Sequence, residues 1–190
     1  MSTSSDGFYV ITGGPGSGKT SLIEALRSGG YACLGEAGRA IIEDQMAIDG
    51  RALPWRDPLL FAELMLSMDM RSYRLAEQSV VPVFFDRGIP DVLAYLRLMN
   101  IPVPEHMHNA ARTSSYNRNV FIAPPWREIF HQDLERKQDF DEAIRTYDAL
   151  VKTYTSYNYN LVEIPRTSVE ERLRLILHNV DIGEDSGAVC

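Results

Sequence analysis

The stretch Phe8–Glu24, FYVITGGPGSGKTSLIE, decides how the chain is built. An apolar run, FYVITG, ends in a glycine-rich turn, and a helical pattern follows. Gly13, Gly18, Lys19 and Thr20 fit the spacing G-x-x-x-x-G-K-[ST]. Glycines let the backbone curl so that several N–H groups converge on phosphate oxygens. The helix that starts there adds its positive end. Gly13, Gly14, Pro15, Gly16, Ser17, Gly18, Lys19, Thr20 and Ser21 are therefore expected to hold a nucleoside triphosphate. Lys19 would neutralise the outer phosphates, and the Thr20 hydroxyl would ligate Mg²⁺.

Working outward, apolar runs alternate with helical patterns. YACLGE, VVPVFFDRG, NVFIAP and NLVEIP read as four further strands. The helical stretches between them include AGRAIIEDQMAI, a long segment from Leu59 to Ser79, and IPDVLAYLRLM. In the long segment Leu60, Leu64 and Met68, with Tyr73 or Leu75, fall near one stripe. Ser168 is expected to cap the last helix, with Glu171 completing a capping box. This alternation predicts an α/β fold, a five-stranded parallel sheet with helices on both faces. Ligands in such sheets bind outside the carboxyl ends of the strands. The candidate residues cluster there, at Gly13–Thr20, Glu36, Asp86 and Pro124.

A length of 190 residues suits one domain. The expected core runs over about 8–180, with frayed tails at 1–6 and 183–190. The net charge of −7 argues against a broad nucleic-acid surface. Cys33 and Cys190 build no disulfide framework and no zinc cluster, and Cys33 reads as a small core side chain. The start, MSTSSDG, lacks the pattern of a signal peptide, and the longest apolar run is too short to span a membrane. A cytoplasmic location is expected.

Asp86 ends a very apolar strand, where it could hold Mg²⁺ through water or take a proton from an attacking hydroxyl. Arg87 follows it, where many ATP-driven machines carry a Glu that activates water. Glu36 ends the second strand and could bind or deprotonate an acceptor hydroxyl. Arg39 could clamp an anionic group or simply pair with Glu36. Arg127 and Arg136 lie on a charged segment that could close as a lid over about 125–140, or else be a solvated helix. Trp55 on the loop ALPWRDP could stack on a substrate ring or cover the core, and the usual burial of Trp favours the core. Arg71 or Arg74 could reach the acceptor. Tyr147, Tyr154, Tyr157 and Tyr159 read as a packing cluster.

The ordered set GGPGSGKT, EAGR, FFDRG, PPWREI and VEIPRTSVEERL resembles the AAA-domain-containing, kinase-like P-loop family of predicted ATPases. It is more distantly similar to the ribosylnicotinamide kinase domain of bacterial NAD-biosynthesis regulators. The resemblance covers about residues 8–180. It implies a P-loop NTPase three-layer sandwich of nucleoside-monophosphate-kinase type, with the first strand central. It further implies ATP, or GTP, with Mg²⁺ on the loop, Thr20 and Asp86 at the metal, and Lys19, Asp86, Glu36, Arg127 and Arg136 in catalysis. Arg166 would border the base, and Glu36, Arg39, Trp55 and Arg87 would face the acceptor. The ribosylnicotinamide kinase carries acidic residues where this chain has Arg87, so that acceptor does not carry over. The expected activity is transfer of the γ-phosphate to a hydroxyl of a nucleoside-like or other small metabolite. The alternatives are a nucleotide-binding regulator, or an ATPase that works with a protein partner. No nucleic-acid partner is expected, and the oligomeric state is open.

Overall fold

The computed structural model describes residues 4–79, 82–130 and 139–180. In chain order the elements are β1 Phe8–Gly13, α1 Lys19–Ser28, β2 Ala32–Leu34, α2 Ala37–Ala47, α3 Pro58–Ala76 and β3 Val83–Asp86. They continue with α4 Ile89–Leu98, α5 Glu105–Thr113, β4 Asn119–Ala123, α6 Phe140–Ser156, β5 Asn160–Glu163 and α7 Val169–His178. The strands form one parallel sheet in the order β2-β3-β1-β4-β5. The first strand is central, as the resemblance implies, and all six of its residues are buried.

The pleat sends alternate residues to opposite faces. Phe8, Val10, Val83, Phe85, Val120 and Ile122 pack with Ala76, Ala94, Leu150 and Tyr154 of α3, α4 and α6. Tyr9, Ile11, Phe84 and Phe121 face the other way, onto Leu22, Ile23 and Leu26 of α1 and Ile176 of α7. Three layers result, and every central strand is apolar on both sides, as buried parallel strands require.

A buried carboxylate joins these layers at the sheet's carboxyl edge. Asp91 accepts the Thr12 hydroxyl of β1 at 2.6 Å and the Tyr154 hydroxyl of α6 at 2.5 Å. It also accepts the Gly88 N–H at 3.0 Å and an Arg87 N–H at 3.1 Å. The Asp91 N–H returns a bond to the Gly88 carbonyl at 2.8 Å, so the start of α4 is closed on itself.

Several sequence expectations need correction. The pattern reading omits α5, which packs Met107, Ala110 and Ala111 against α4. In α3 the buried face is Phe61, Ala62, Leu66 and Ala76, while Leu60, Met68 and Leu75 are exposed. That helix carries apolar residues around most of its circumference, so periodicity alone does not choose its inner face. Its start is fixed by Asp57, whose side chain accepts the Leu60 N–H. Residues 4–6 are not frayed: a 3-10 turn spans Ser4–Gly7, and Asn117 Nδ2 donates to the Asp6 carbonyl at 2.5 Å. Cys33 lies on the edge strand β2 and is half-buried rather than in the core. Ser168 does cap α7, accepting the Glu171 N–H, but the Glu171 carboxylate takes the Thr167 hydroxyl. The tyrosines divide: Tyr154 and Tyr159 pack edge-to-face, while Tyr157 stacks with His108. The tail 183–190 and residues 131–138, with Arg136, lie outside the described residues.

Asp91→Ala would leave several buried donors without an acceptor. We expect a loss of about 3–5 kcal/mol in urea unfolding, against about 1–2 kcal/mol for Tyr154→Phe. Equal effects from the two changes would mean that Asp91 is not the shared acceptor.

Candidate functional site

The phosphate loop links the end of β1 to the start of α1. Gly16 and Gly18 have φ values of 67° and 75°, the left-handed region where a side chain is strained. A Cβ on Gly18 would also meet the Arg172 guanidinium at 2.7 Å. The Ser17 hydroxyl donates to the Gly14 carbonyl at 2.8 Å and braces the turn. Ser17 and Lys19 are buried, whereas Thr20 and Ser21 are exposed.

Arg172, from α7, is the residue that the sequence reading misses. It is 2% exposed, and it donates to the Ser17 carbonyl at 3.0 Å and the Gly18 carbonyl at 3.3 Å. Its guanidinium lies 5.8 Å from the centre of the Trp126 ring, and burial lowers its pKa. The available signal is positional: Arg172 sits one turn into a capped helix that follows the last strand.

Around the loop lies a groove of about 500 Å³, lined by Lys19, Thr20, Ser21, Glu36, Arg39, Trp126, Ile129, Thr167 and Arg172. Lysine and two arginines give it positive character suited to phosphates. Phe130 lies across Gly16, within the space that a Cβ there would fill.

Asp86 closes β3 beside the loop. Its Oδ1 is buried and has no hydrogen-bond partner among the described residues. Burial raises the Asp86 pKa, and the Lys19 charge opposes that rise. An unsatisfied buried carboxylate oxygen that feels the Lys19 charge, with the Thr20 hydroxyl exposed on the residue after Lys19, is a donor set that fits Mg²⁺, which binds one or two carboxylates plus phosphate oxygens. Among the described residues there is no group of three or more His, Cys, Asp or Glu that could hold a metal by itself.

Arg87 sits next to Asp86 with φ at 75°, unusual for a residue with a side chain. Its Nε lies 3.2 Å from Glu36, and its second nitrogen lies 3.1 Å from Asp91. Burial works against the Arg87 charge, yet Glu36, Asp91 and Asp86 outweigh it and hold the guanidinium above its ordinary value.

A second cavity, of about 490 Å³, opens on the other side of Pro15 and Glu36, which line both spaces. Its walls are mostly apolar, with Phe61, Met65 and Tyr95 among them, and Trp55 stands at its edge. The core reading of Trp55 fails here, since the residue is 59% exposed. Five charged residues line the cavity: Glu36, Asp69, Asp91, Glu142 and Arg87. The Tyr95 hydroxyl and the Thr146 Oγ1 are buried without a partner among the described residues. Burial, then the charge of Asp91, pushes the Asp69 pKa up to about 8 from 3.8; Arg87 opposes this, and Glu36 and Asp86 add to it.

Glycine loop, Lys19, Thr20, Ser21, Glu36 and Arg39 thus meet at the first space, and Glu36, Arg87 and Trp55 meet at the second. Asp86, Arg127 and Arg166 line neither. Arg127 lies 4.3 Å above the Phe140 ring, and Arg166 Nε donates to the Pro125 carbonyl at 2.9 Å. Arg71 and Arg74 are exposed and absent from both linings, and α3 contributes Asp69 instead.

A family model described as AAA domain matches residues 8–172. No curated protein matches the chain. Among solved structures, deoxyadenosine kinase from M. mycoides, with dCMP and a flexible dCDP bound, superposes with a TM-score of 0.67 at 14% identity. The match covers 92% of this chain and 98% of that one. Thymidylate kinase from Ehrlichia chaffeensis gives 0.62 at 15% identity, over 90% of this chain and 96% of that chain. The NadR protein in complex with NR gives 0.67 at 16% identity, over 92% of this chain and 52% of that chain. The likeness at these identities is one of fold, the P-loop NTPase fold of nucleoside and nucleotide kinases.

Two outcomes are expected. Arg172→Ala frees the loop carbonyls and should weaken ATP binding by about tenfold, measured by calorimetry; unchanged affinity would remove Arg172 from loop positioning. Asp69 keeps a proton that the unfolded chain loses above about pH 4, so its contribution to stability falls as pH rises from about 4 to 8, then levels. Asp69→Asn should therefore stabilise the protein by ~1–3 kcal/mol at pH 8.5 and by little at pH 4. A gain independent of pH in denaturant titrations would contradict this.

Proposed function

Because the chain belongs to the AAA-domain family of kinase-like P-loop NTPases, we propose that it is an ATP-dependent small-molecule kinase. One observation carries this reading: the basic phosphate groove and a separate cavity share the wall formed by Pro15 and Glu36. A hydrolase or a switch needs only the first space. A kinase needs both, side by side, with the donor phosphate and the acceptor hydroxyl brought together at their junction.

In this reading the loop amides and Lys19 hold the triphosphate, and Arg39 adds charge at the groove's rim. Thr20 and one oxygen of Asp86 would hold Mg²⁺, which neutralises charge on the phosphates when bound. The acceptor's hydroxyl oxygen forms a bond to the γ-phosphorus as the bond from that phosphorus to the bridging oxygen breaks. The hydroxyl proton passes to the Asp86 carboxylate oxygen that Mg²⁺ would leave unused. ADP leaves with the electron pair of the broken bond. Glu36, fixed by Arg87, accepts a hydrogen bond from the acceptor and orients it. An acceptor filling the second cavity would displace water from the junction, which favours transfer over hydrolysis.

The test is incubation with γ-labelled ATP, Mg²⁺ and a pool of nucleosides, sugars and other hydroxylated metabolites. Label should move to a metabolite, and Asp86→Asn should slow that transfer by about 100-fold or more without loss of fold. Lys19→Ala should abolish it. Label released only as inorganic phosphate, at the same rate with and without the pool, would overturn the kinase reading.

A further inference from the structure

The second cavity has a chemistry of its own, and it is opposite in sign to the groove beside it. The groove presents Lys19, Arg39 and Arg172, with Glu36 its one carboxylate at the shared wall. Across the shared wall the cavity presents Glu36, Asp69, Asp91 and Glu142 against Arg87. The Arg87 guanidinium is already engaged, at 3.2 Å by Glu36 and 3.1 Å by Asp91. Asp69 is different. It faces the cavity from α3, and what acts on it besides burial is charge from Asp91, Arg87, Glu36 and Asp86. Three of those four charges are negative. Burial is the larger cause of the raised Asp69 pKa, and the charges of Asp91, Glu36 and Asp86 add to it against Arg87.

The remaining wall says what shape of molecule fits. Phe61 and Tyr95 meet edge-to-face with centroids 5.5 Å apart, and Met65 and Trp55 extend the apolar surface. The unpartnered hydroxyls of Tyr95 and Thr146 add polar points that are buried in that surface. A space of about 490 Å³ accommodates a ring with a polar arm.

We propose that the acceptor is a ring-bearing alcohol carrying no negative charge, and that Asp69, where ionised, adds to the rejection of anionic acceptors such as phosphomonoesters. The proposal rests on the kinase reading for the word acceptor, but the selectivity belongs to the cavity and is measurable without turnover. A phosphomonoester in this space would stand among carboxylates whose nearest cation is already neutralised. An uncharged alcohol can donate its hydroxyls to the same carboxylates.

The experiment uses the full chain with the groove filled by Mg²⁺ and a non-hydrolysable ATP analogue. Ligand-observed NMR titrations then compare the common nucleosides and pyridoxine, each against its own monophosphate, at pH 7.5 and 9. Wild-type protein should bind at least one uncharged member, and bind its monophosphate at least about tenfold more weakly. The gap should widen at pH 9, as Asp69 loses its proton. In Asp69→Asn it should stay the same at both pH values, a readout that a merely structural role would not move. A monophosphate that binds as well as its parent alcohol, or a failure of every member to bind, would overturn the proposal. So would a gap in Asp69→Asn that widens as in wild type. Label transfer from ATP to the same pairs separates the two readings. Transfer to a monophosphate would sink this inference and leave the kinase standing. Binding of the uncharged members without transfer to any would leave the selectivity intact and sink the kinase.

Discussion

Much of the structure hangs on the saturation of one buried carboxylate. Asp91 receives donors from the end of β1, from the turn after β3, from the start of α4 and from α6. A buried charge is tolerated only when its lone pairs are used, and here they are. The same carboxylate then fixes Arg87, and Arg87 fixes Glu36 at the entry to α2. Thr12, one residue before the glycine turn, is held in the same set. The phosphate loop, the Asp86 turn and the wall between the two spaces are thus tied to a single acceptor.

That arrangement explains the backbone at Arg87. A left-handed conformation in a residue with a side chain costs on the order of 1 kcal/mol. Glycine would remove that cost and lose the ion pairs. The turn gains from the charged side chain because two carboxylates converge on it, and its own N–H donates to the Ile11 carbonyl at 3.0 Å. The strain is local and the compensation spans three elements.

Much of this was legible in the sequence, and the reasons are physical. A buried parallel strand must be apolar on both faces, so FYVIT, VFF and VFI announce themselves. A phosphate loop requires glycine, Lys and Thr at fixed offsets, so that motif is equally plain. Residues whose partners are remote were not legible. Arg172 is separated from the Ser17 carbonyl by 155 positions, and nothing local marks it. The Asp69 position hides in a helix that is apolar nearly all round, where spacing does not reveal an inner face. Trp55 follows the general habit of its residue type only when something covers it, and here it stands at the mouth of a cavity.

A central first strand also sets the order in which this protein can fold. Thr12 waits 79 positions for Asp91, and the Asp6 carbonyl waits 111 for Asn117. During synthesis β1 emerges well before β3, and β4 follows later still, so this very apolar strand spends that interval unpaired. Pairings so distant along the chain close slowly, because the loop entropy is spent before the contacts form. The strand that organises the finished sheet is therefore also the segment most exposed to misassociation while the chain is being made.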